Sequence, residues 1–398
     1  MTETTRGRAR RGLVMLCALA IVSVGCTGGP ILANAPIAFP SPIVPTTGPA
    51  RPPDPIPISL PRDDGPHDRL TEWWYYTGHL AAPDGRRFGF EAVVFRAERG
   101  STPAGWAAHL ALTDESGNRF FYAQRAEFGP QVDRSPRDGT GVPTGFDLGV
   151  SGLSPVLIAA GAPAAATPWR LAGANGMDRI EASLAPEEAT AAGAAFGFAL
   201  DLKALKAPAL HDRDGFVDFG AAGSSYYYSR TRLSATGQLD LNGEHLTVDG
   251  IAWFDHQWGD FVSVGGGGWD WYALNLEDGT DITLSVVYDD HLNELARYGT
   301  RVNPGGDVVP LGPDDFAIQA LGGWRSSISG RTYATDRRIT FDDRVVELNP
   351  TVIDQELDTR ATTGVTYWEG SQVVSDVNVH ERSGEAYVEI TRYDSPGG

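Results

Sequence analysis

The chain has 398 residues, of which 41% are apolar and 10% aromatic, so it is long for one domain and sufficient for two domains with sizeable cores. Its formal net charge of −19 at pH 7 argues against nucleic acid as a partner, because binding phosphates requires a basic surface. Glycine (48 residues) and proline (27 residues) are abundant, which favours turns and short strands over long helices.

The N-terminal segment has the organisation of an export signal. Arginines at residues 6–11 precede an apolar run over residues 13–24, which is too short to span a bilayer and has the length of a signal-peptide core. The run ends at Val24-Gly25-Cys26, and a small residue immediately before a cysteine is what lipoprotein signal peptidase requires. We therefore expect residues 1–25 to be a signal peptide, Cys26 to be lipidated, and the protein to be exported and anchored on the extracytoplasmic side of a membrane.

Two features of this segment leave alternatives open. Arg10 and Arg11 also fit the core of a twin-arginine signal, so general secretion and twin-arginine export both remain possible routes. Cys26 would be incidental if a different peptidase cuts nearby. If cleavage does fall before Cys26, Cys17 leaves with the signal, and the one remaining cysteine can form neither an intrachain disulfide nor a thiolate zinc site.

The next segment reads as a tether. Prolines are dense between residues 30 and 61, and such density blocks helix and sheet pairing and favours extended, polyproline-like chain. We therefore expect residues 26–61 to link the lipid anchor to the folded body.

From about residue 62 onward the chain reads as antiparallel strands. Aromatic-rich alternating runs such as Trp73–Leu80 and Trp271–Leu276 are followed by Asp-Gly turns, which suit tight hairpins because they tolerate positive φ. Strands in this number close into barrels or sandwiches to hide their edges. The two runs also echo each other, so we predict an all-β body of two domains, over residues 62–262 and 263–398.

Several motifs together resemble one family. They are Asp64-Gly65-Pro66-His67, Glu72–Leu80, Ser224–Ser229, Gly250–Gly259, Tyr367-Trp368-Glu369-Gly370 and Gly384–Ile390. The chain resembles the lipocalin-like family that contains the bacterial carotenoid 1,2-hydratases (hydroxyneurosporene synthases) and the AttH-type proteins, often described as secreted hydrolases. The resemblance implies two tandem lipocalin-like antiparallel β-barrel domains, an apolar isoprenoid or lipid-like ligand, and no metal or organic cofactor.

The chain departs from the hydratase members in two ways. Its export signal suits the secreted branch better than the carotenoid branch, and Arg392 stands where the last motif leads us to expect glycine. Hydratase members add water to the terminal double bond of an acyclic carotenoid, whereas fungal relatives catalyse cycloadditions. The resemblance therefore leaves the chemistry open.

The motif residues suggest acid–base catalysis. Hydrating an alkene requires a proton donor, and burial among aromatic rings raises a carboxyl pKa, so Asp255 is the predicted donor. His256 or Glu72 is then the predicted general base. Cation–π contacts would steady a carbocation, and the predicted substrate-binding side chains are aromatic: Trp73, Trp74, Tyr76, Trp253, Trp258, Trp271 and Tyr272.

Strand alternation limits this set. Asp255 and His256 point to opposite faces of a regular strand, so a ligand that contacts one face meets only one of them. Because Asp255–Gly259 lies where the two halves meet, we expect the pocket at their junction.

Other interpretations remain open for the same residues. The aromatic side chains fit core packing, Asp255 fits a structural carboxylate, and Glu72 fits an ion pair with an arginine. The histidines show no HxH or HExxH spacing, and no GxSxG motif supports a serine hydrolase. Two functions follow: a membrane-tethered, cofactor-independent enzyme that hydrates a C=C bond, or a non-catalytic lipocalin-like lipid carrier.

Overall fold

The computed structural model describes residues 53–99, 102–152, 167–219, 223–261, 266–378 and 381–391. The predicted signal peptide, the predicted lipidation site Cys26 and most of the predicted tether lie outside these residues. The described chain forms two antiparallel sheets, which confirms the predicted all-β, lipocalin-like fold.

The first sheet has 12 strands in the order β4-β3-β2-β1-β12-β11-β8-β7-β6-β5, with β9 and β10 paired to β11. Its strands are β1 (Thr71–Ala81), β2 (Arg87–Ala97), β3 (Gly105–Asp114), β4 (Arg119–Phe128), β5 (Phe146–Val150), β6 (Trp169–Ala174), β7 (Met177–Ser183), β8 (Phe196–Ala204), β9 (Ala209–Leu210), β10 (Phe216–Asp218), β11 (Ser224–Leu241) and β12 (Glu244–Gly259). Strand β5 contacts β3 and β4, so the sheet nearly closes into a barrel.

The second sheet has 10 strands in the order β16-β15-β14-β13-β22-β21-β19-β18-β17, with β20 paired to β21. Its strands are β13 (Gly266–Leu276), β14 (Asp281–Asp289), β15 (Glu294–Val302), β16 (Val308–Leu311), β17 (Phe316–Arg325), β18 (Thr332–Phe341), β19 (Arg344–Pro350), β20 (Glu356–Asp358), β21 (Thr366–Asp376) and β22 (Glu381–Ile390). The described helices are short: helix α1 (Pro186–Ala192) and 3-10 turns at Arg62–Asp64 and Pro130–Val132. No helix in these parts of the chain combines the length and apolar character needed to cross a bilayer.

Two of the predicted hairpin turns lie where the Asp-Gly pairs place them. Gly85 joins β1 to β2 with φ +91°, and Gly279 joins β13 to β14 with φ +86°. Glycine adopts this left-handed conformation without the steric cost of a Cβ atom, so each pair fixes the register of its hairpin.

Strands β1 and β12 are buried on both faces, which explains their long aromatic runs. One face of β1 places Trp74 and Tyr76 in the core of the first sheet. The other face places Tyr75 in a separate apolar cluster with Trp253 of β12 and Trp271 of the second sheet. A strand covered on both sides reads as a continuous apolar run rather than a clean alternation.

The two sheets meet along β1, β2 and β11 of the first and β13, β14, β21 and β22 of the second. Asp281 of β14 is fully buried at this junction and pairs with Arg232 of β11 at 2.6 Å and with Lys206, which lies between β8 and β9, at 2.7 Å. The first sheet ends at Gly259 and the second begins at Gly266. The division of the chain at residue 262 stays a prediction.

Candidate active site between the two sheets

A narrow pocket lies at the junction of the sheets. Its walls are mostly aromatic, with three carboxyl groups, and its lining residues are Trp73, Tyr75, Phe95, Phe219, Tyr227, Asp255, Gln257, Trp269, Trp271, Ser285, Val287, Tyr298, Tyr367, Glu369 and Glu389. The cavity volume is about 70 Å³. The empty space around it, including open solvent at the mouth, is about 720 Å³. The pocket is therefore narrow, and we call it the slot.

Strand alternation brings Asp255 into this slot. Asp255 of β12 stands directly opposite Tyr75 of β1 and Ser229 of β11, and the side chains of all three are buried on the face toward the second sheet. The neighbouring His256 points to the opposite face, into the first sheet, as alternation predicts.

Three donors surround the Asp255 carboxylate. Oδ2 accepts a 2.6 Å hydrogen bond from the Tyr227 hydroxyl, and Oδ1 accepts hydrogen bonds from Trp253 Nε1 at 2.7 Å and from the Ser229 hydroxyl. Burial raises the pKa of Asp255 to about 6, although the hydrogen bonds from Ser229, Tyr227 and Trp253 pull it down. A carboxylate offers about four acceptor positions, so one position remains on Oδ2.

A second layer holds these donors in place. Trp271 of the second sheet donates its Nε1 hydrogen to the Tyr227 oxygen at 3.1 Å. The His211 ring stacks on Tyr227 at 3.8 Å, and its nitrogens contact Ser229 Oγ at 2.7 Å and Thr300 Oγ1 at 2.9 Å. Burial lowers the pKa of His211 to about 3, so the ring is neutral. Because the Ser229 hydroxyl gives its one hydrogen to Asp255, the His211 nitrogen that contacts it is the donor. Both sheets therefore fix the orientation of the Asp255 site.

Glu72 and His256 form a different cluster on the opposite face. Glu72 Oε1 lies 2.9 Å from His256 Nε2 and 2.7 Å from His67 Nδ1, and Glu72 and His256 are fully buried. Burial alone would raise the pKa of Glu72, but the charge of His67 and the hydrogen bonds from both histidines lower it to about 2. Burial lowers the pKa of His256, whereas at His67 burial is outweighed by the charges and hydrogen bonds of Glu72 and Asp63, which raise the pKa. These shifts favour a neutral His256 ring beside a His67–Glu72 ion pair.

The atoms of this cluster are close enough to raise the question of a metal ion. The candidate ligand atoms of His67, Glu72 and His256 lie within 4.8 Å of one another. Ligands of a tetrahedral zinc ion at about 2.0–2.1 Å would be separated by roughly 3.3 Å. The separations of 2.7 and 2.9 Å from Glu72 Oε1 are shorter and fit hydrogen bonds.

The predicted substrate-binding side chains divide among these environments. Trp73 and Trp271 line the slot, and Trp253 lies beside it and binds Asp255. The others lie in the sheet cores: Trp74 donates to the Asp64 carbonyl, Tyr76 donates to Asp178, Trp258 stacks on His67 at 4.0 Å, and Tyr272 accepts from Arg337. Among the predicted catalytic residues, only Asp255 lines the slot.

Sequence reasoning assigned no role to several residues that line or support the slot. Tyr227, Ser229, Glu369 and Glu389 lie within the motifs that carry the family resemblance, which is the signal that could have found them. Their association with Asp255 depends on pairing between distant strands.

A nearly closed antiparallel sheet beside a second sheet, with an aromatic slot between them, defines a lipocalin-like all-β protein. The AttH-like family model matches residues 50–393, so this chain belongs to the AttH-like family.

Two solved structures have a similar fold. The chain is similar to a putative AttH protein from Nitrosomonas europaea, with 26% identity, a TM-score of 0.68, and coverage of 85% of this chain and 98% of that one. It shares its fold with kievitone hydratase from Nectria haematococca, with 15% identity, a TM-score of 0.60, and coverage of 84% and 93%. No curated protein matches the chain.

Proposed function

We propose that this protein is a cofactor-independent acid–base enzyme that hydrates a C=C bond of an apolar, isoprenoid or lipid-like substrate in the slot. The observation that carries the proposal is the Asp255 carboxyl, buried with a pKa of about 6 in a slot otherwise lined mainly by aromatic rings. Support comes from the AttH-like family and from the shared fold with a protein named as a hydratase.

The surroundings of Asp255 favour proton acceptance. The Tyr227, Ser229 and Trp253 hydrogens all point at the carboxylate and stabilise its charged form. A group with a pKa of about 6 is mostly ionised at pH 7. The sequence reasoning gave Asp255 the role of proton donor, and these donors instead suit a base that takes a proton from the attacking water.

The aromatic walls suit a cationic transition state. Protonating an alkene leaves a carbocation, and a ring face stabilises a nearby cation by about 0.5–2 kcal/mol. Trp73, Trp269 and Trp271 supply such rings. Among the residues that line the slot in the described chain, none is a lysine, arginine or histidine, so no fixed positive charge opposes the carbocation.

The dimensions of the slot bear on the substrate. Small-molecule pockets typically measure about 300–1,000 Å³. The free volume here is far smaller, so the slot suits the unsaturated end of a slender chain whose remainder extends through the mouth. This argues for a terminal double bond in an acyclic molecule.

A second candidate function is a non-catalytic lipid carrier. The observation that favours it is that protein donors already occupy three acceptor positions of Asp255, as they would for a structural carboxylate. A carrier would bind the same apolar ligand and release it unchanged.

Export and lipidation at Cys26 form part of the proposal and rest on the N-terminal sequence alone. The test is a Cys26→Ser variant of the full chain expressed in a bacterium. The proposal expects membrane association and incorporation of labelled fatty acid in the wild type and neither in the variant. Fatty acid incorporated equally into both proteins would contradict it.

The catalytic proposal is tested with purified protein, ¹⁸O-labelled water and a panel of acyclic isoprenoid alkenes that includes a carotenoid. Mass spectrometry should detect one added labelled water with wild-type protein and none with Asp255→Asn. Asp178→Asn is the matched control, because Asp178 is also buried, also accepts from a tyrosine (Tyr76) and also has a pKa raised by burial to about 6, but lies outside the slot. Bound but unaltered ligand with all three proteins would favour the carrier.

A further inference from the structure

A group of three carboxyls lies beside the slot, on the side of the second sheet. Glu369 of β21 and Glu389 of β22 stand directly opposite each other in the strand register, and both line the slot. Glu91 of β2 reaches the same region and accepts a 3.3 Å hydrogen bond from Tyr367. Like charges directly opposite each other destabilise a sheet, so this arrangement favours neutral carboxyls.

Glu369 has an oxygen without a hydrogen-bond partner. Its Oε1 accepts from the Tyr75 hydroxyl, whereas its buried Oε2 has no partner among the described residues. Glu369 itself is 1% exposed and lines the slot. Because Oε1 accepts from Tyr75, the proton of a neutral Glu369 lies on Oε2, the oxygen without a partner among the described residues.

The groups that face Glu369 oppose its ionisation. Burial raises the pKa of Glu369 well above its ordinary value, and the charges of Glu91 and Glu389 raise it further, against a smaller effect of the Tyr75 hydrogen bond. The remaining titratable neighbours, Tyr367 and Tyr387, have phenols whose own pKa values are raised by burial.

The histidine in contact with Tyr367 does not compensate these charges, and Arg337 lies beside Asp270, 3.6 Å from its Oδ2. His109 lies behind Tyr367, 2.8 Å from its hydroxyl oxygen, and burial lowers the pKa of His109 to about 3, so the ring is neutral. Asp255 and Asp270 add negative charge near Glu389. These surroundings therefore favour the neutral acid form of Glu369.

We propose that Glu369 is the general acid of the slot: its Oε2 gives a proton to the substrate, while Asp255 accepts a proton from the attacking water. This assignment of Glu369 as acid and Asp255 as base rests on the proposed hydration, and it identifies the proton donor of that reaction. Two carboxyls whose surroundings push them toward opposite protonation states are a recurring acid–base arrangement.

The step is balanced by water alone. The alkene π electrons form a C–H bond with the Glu369 proton as its O–H bond breaks, which leaves a carbocation on the other carbon and a carboxylate on Glu369. Water forms the C–O bond and loses a proton to Asp255. Proton return from Asp255 to Glu369 through solvent resets both groups, and the net change is addition of one water molecule.

The decisive variant is Glu369→Gln, because it separates catalysis from folding. Glutamine keeps the acceptor for Tyr75 and removes a carboxyl that its neighbours repel, so the melting temperature at pH 8 should rise by a few degrees while turnover falls by about 10²-fold or more. Glu91→Gln is the comparison variant, because Glu91 is one of the three neighbouring carboxyls but does not line the slot. At pH 6, Glu91→Gln should keep turnover within about threefold of wild type.

A measurement without substrate tests the protonation state. Infrared spectroscopy of wild-type protein at pH 7 should contain a neutral-carboxyl band that Glu369→Gln diminishes. An unaltered band in that variant, or turnover by Glu369→Gln within about threefold of wild type, would overturn the assignment. A wild-type protein that yields no hydrated product would contradict the proposed function instead, and the infrared band would still decide the state of Glu369.

Discussion

The phenol of Tyr75 donates a hydrogen bond across the junction of the two sheets to the carboxyl of Glu369. On its own sheet Tyr75 stands directly opposite Asp255, and its ring meets Trp271 edge to face at 5.3 Å. One tyrosine therefore contacts the strand that holds the proposed base and the side chain of the proposed acid. This contact makes the acid–base pair depend on how the two sheets are docked.

Replacing Tyr75 with phenylalanine should shift the alkaline limb of the pH–rate profile. The Tyr75 hydrogen bond lowers the pKa of Glu369, so its loss raises that pKa and moves the limb to higher pH. The loss of a buried hydrogen bond should also reduce the free energy of unfolding by about 0.5–1.5 kcal/mol. Rates across pH and chemical denaturation measure the two effects. A limb that moves to lower pH would contradict the assignment.

Replacing Tyr227 with phenylalanine should shift the acidic limb. Its hydroxyl donates to Asp255 Oδ2 at 2.6 Å and favours the carboxylate, so Tyr227→Phe raises the pKa of Asp255 above about 6. A base must be ionised to act, and the rise in kcat/KM with pH should therefore begin at higher pH. Tyr298→Phe, which alters another slot tyrosine without a bond to Asp255 Oδ2, is the control. An equal shift in both variants would rule out a specific effect of Tyr227.

Replacing Glu72 with glutamine should weaken folding and spare catalysis. The pKa of Glu72 is lowered to about 2 in the folded protein, so its contribution to stability is present above its unfolded pKa and is lost as pH falls below about 4.5. Removing one partner of a buried pair costs on the order of 3–5 kcal/mol. We expect a lower melting temperature at pH 7 with kcat within about threefold of wild type. A hundredfold loss of kcat in folded protein would place catalysis on the His256 face.

The three neighbouring carboxyls of Glu91, Glu369 and Glu389 should make the protein less stable at high pH. Burial and neighbouring charge raise the pKa of Glu91 to about 8, and burial raises that of Glu389 to about 7. When the pKa of a carboxyl is higher in the folded protein than in the unfolded chain, its contribution to folding stability is fully present below the unfolded-state pKa. That contribution is lost as pH rises through the folded-state pKa. Glu91→Gln should therefore match wild type near pH 5 and exceed it by a few kcal/mol at pH 8. Melting curves at both pH values test this, and a deficit at pH 8 would contradict it.

The fold was predictable where local chemistry determines it. The aromatic alternation of Glu72–Leu80 and the Asp84-Gly85 pair specify a strand and its hairpin without reference to the rest of the chain. Alternation also separates Asp255 from His256. These inferences need only the period of a strand and the backbone freedom of glycine.

Which residues line the slot could not be predicted from local sequence patterns. Which face of β12 meets a pocket depends on where the second sheet docks, and no local pattern encodes that. Glu369 and Glu389 occupy alternating positions that read as solvent-facing charge, and their burial follows from tertiary packing of distant strands. Tyr227 and Ser229 reach Asp255 because β11 pairs with β12, which sequence spacing does not reveal.

The most direct test of this account compares two adjacent residues on opposite faces of one strand. Asp255→Asn and His256→Gln are assayed side by side for incorporation of ¹⁸O from labelled water, below the melting temperature of both. We predict at least a 10²-fold loss of kcat/KM for Asp255→Asn and less than a tenfold loss for His256→Gln, because only Asp255 lines the slot. Full turnover by Asp255→Asn together with an inactive His256→Gln would contradict the account and place the reaction in the first sheet.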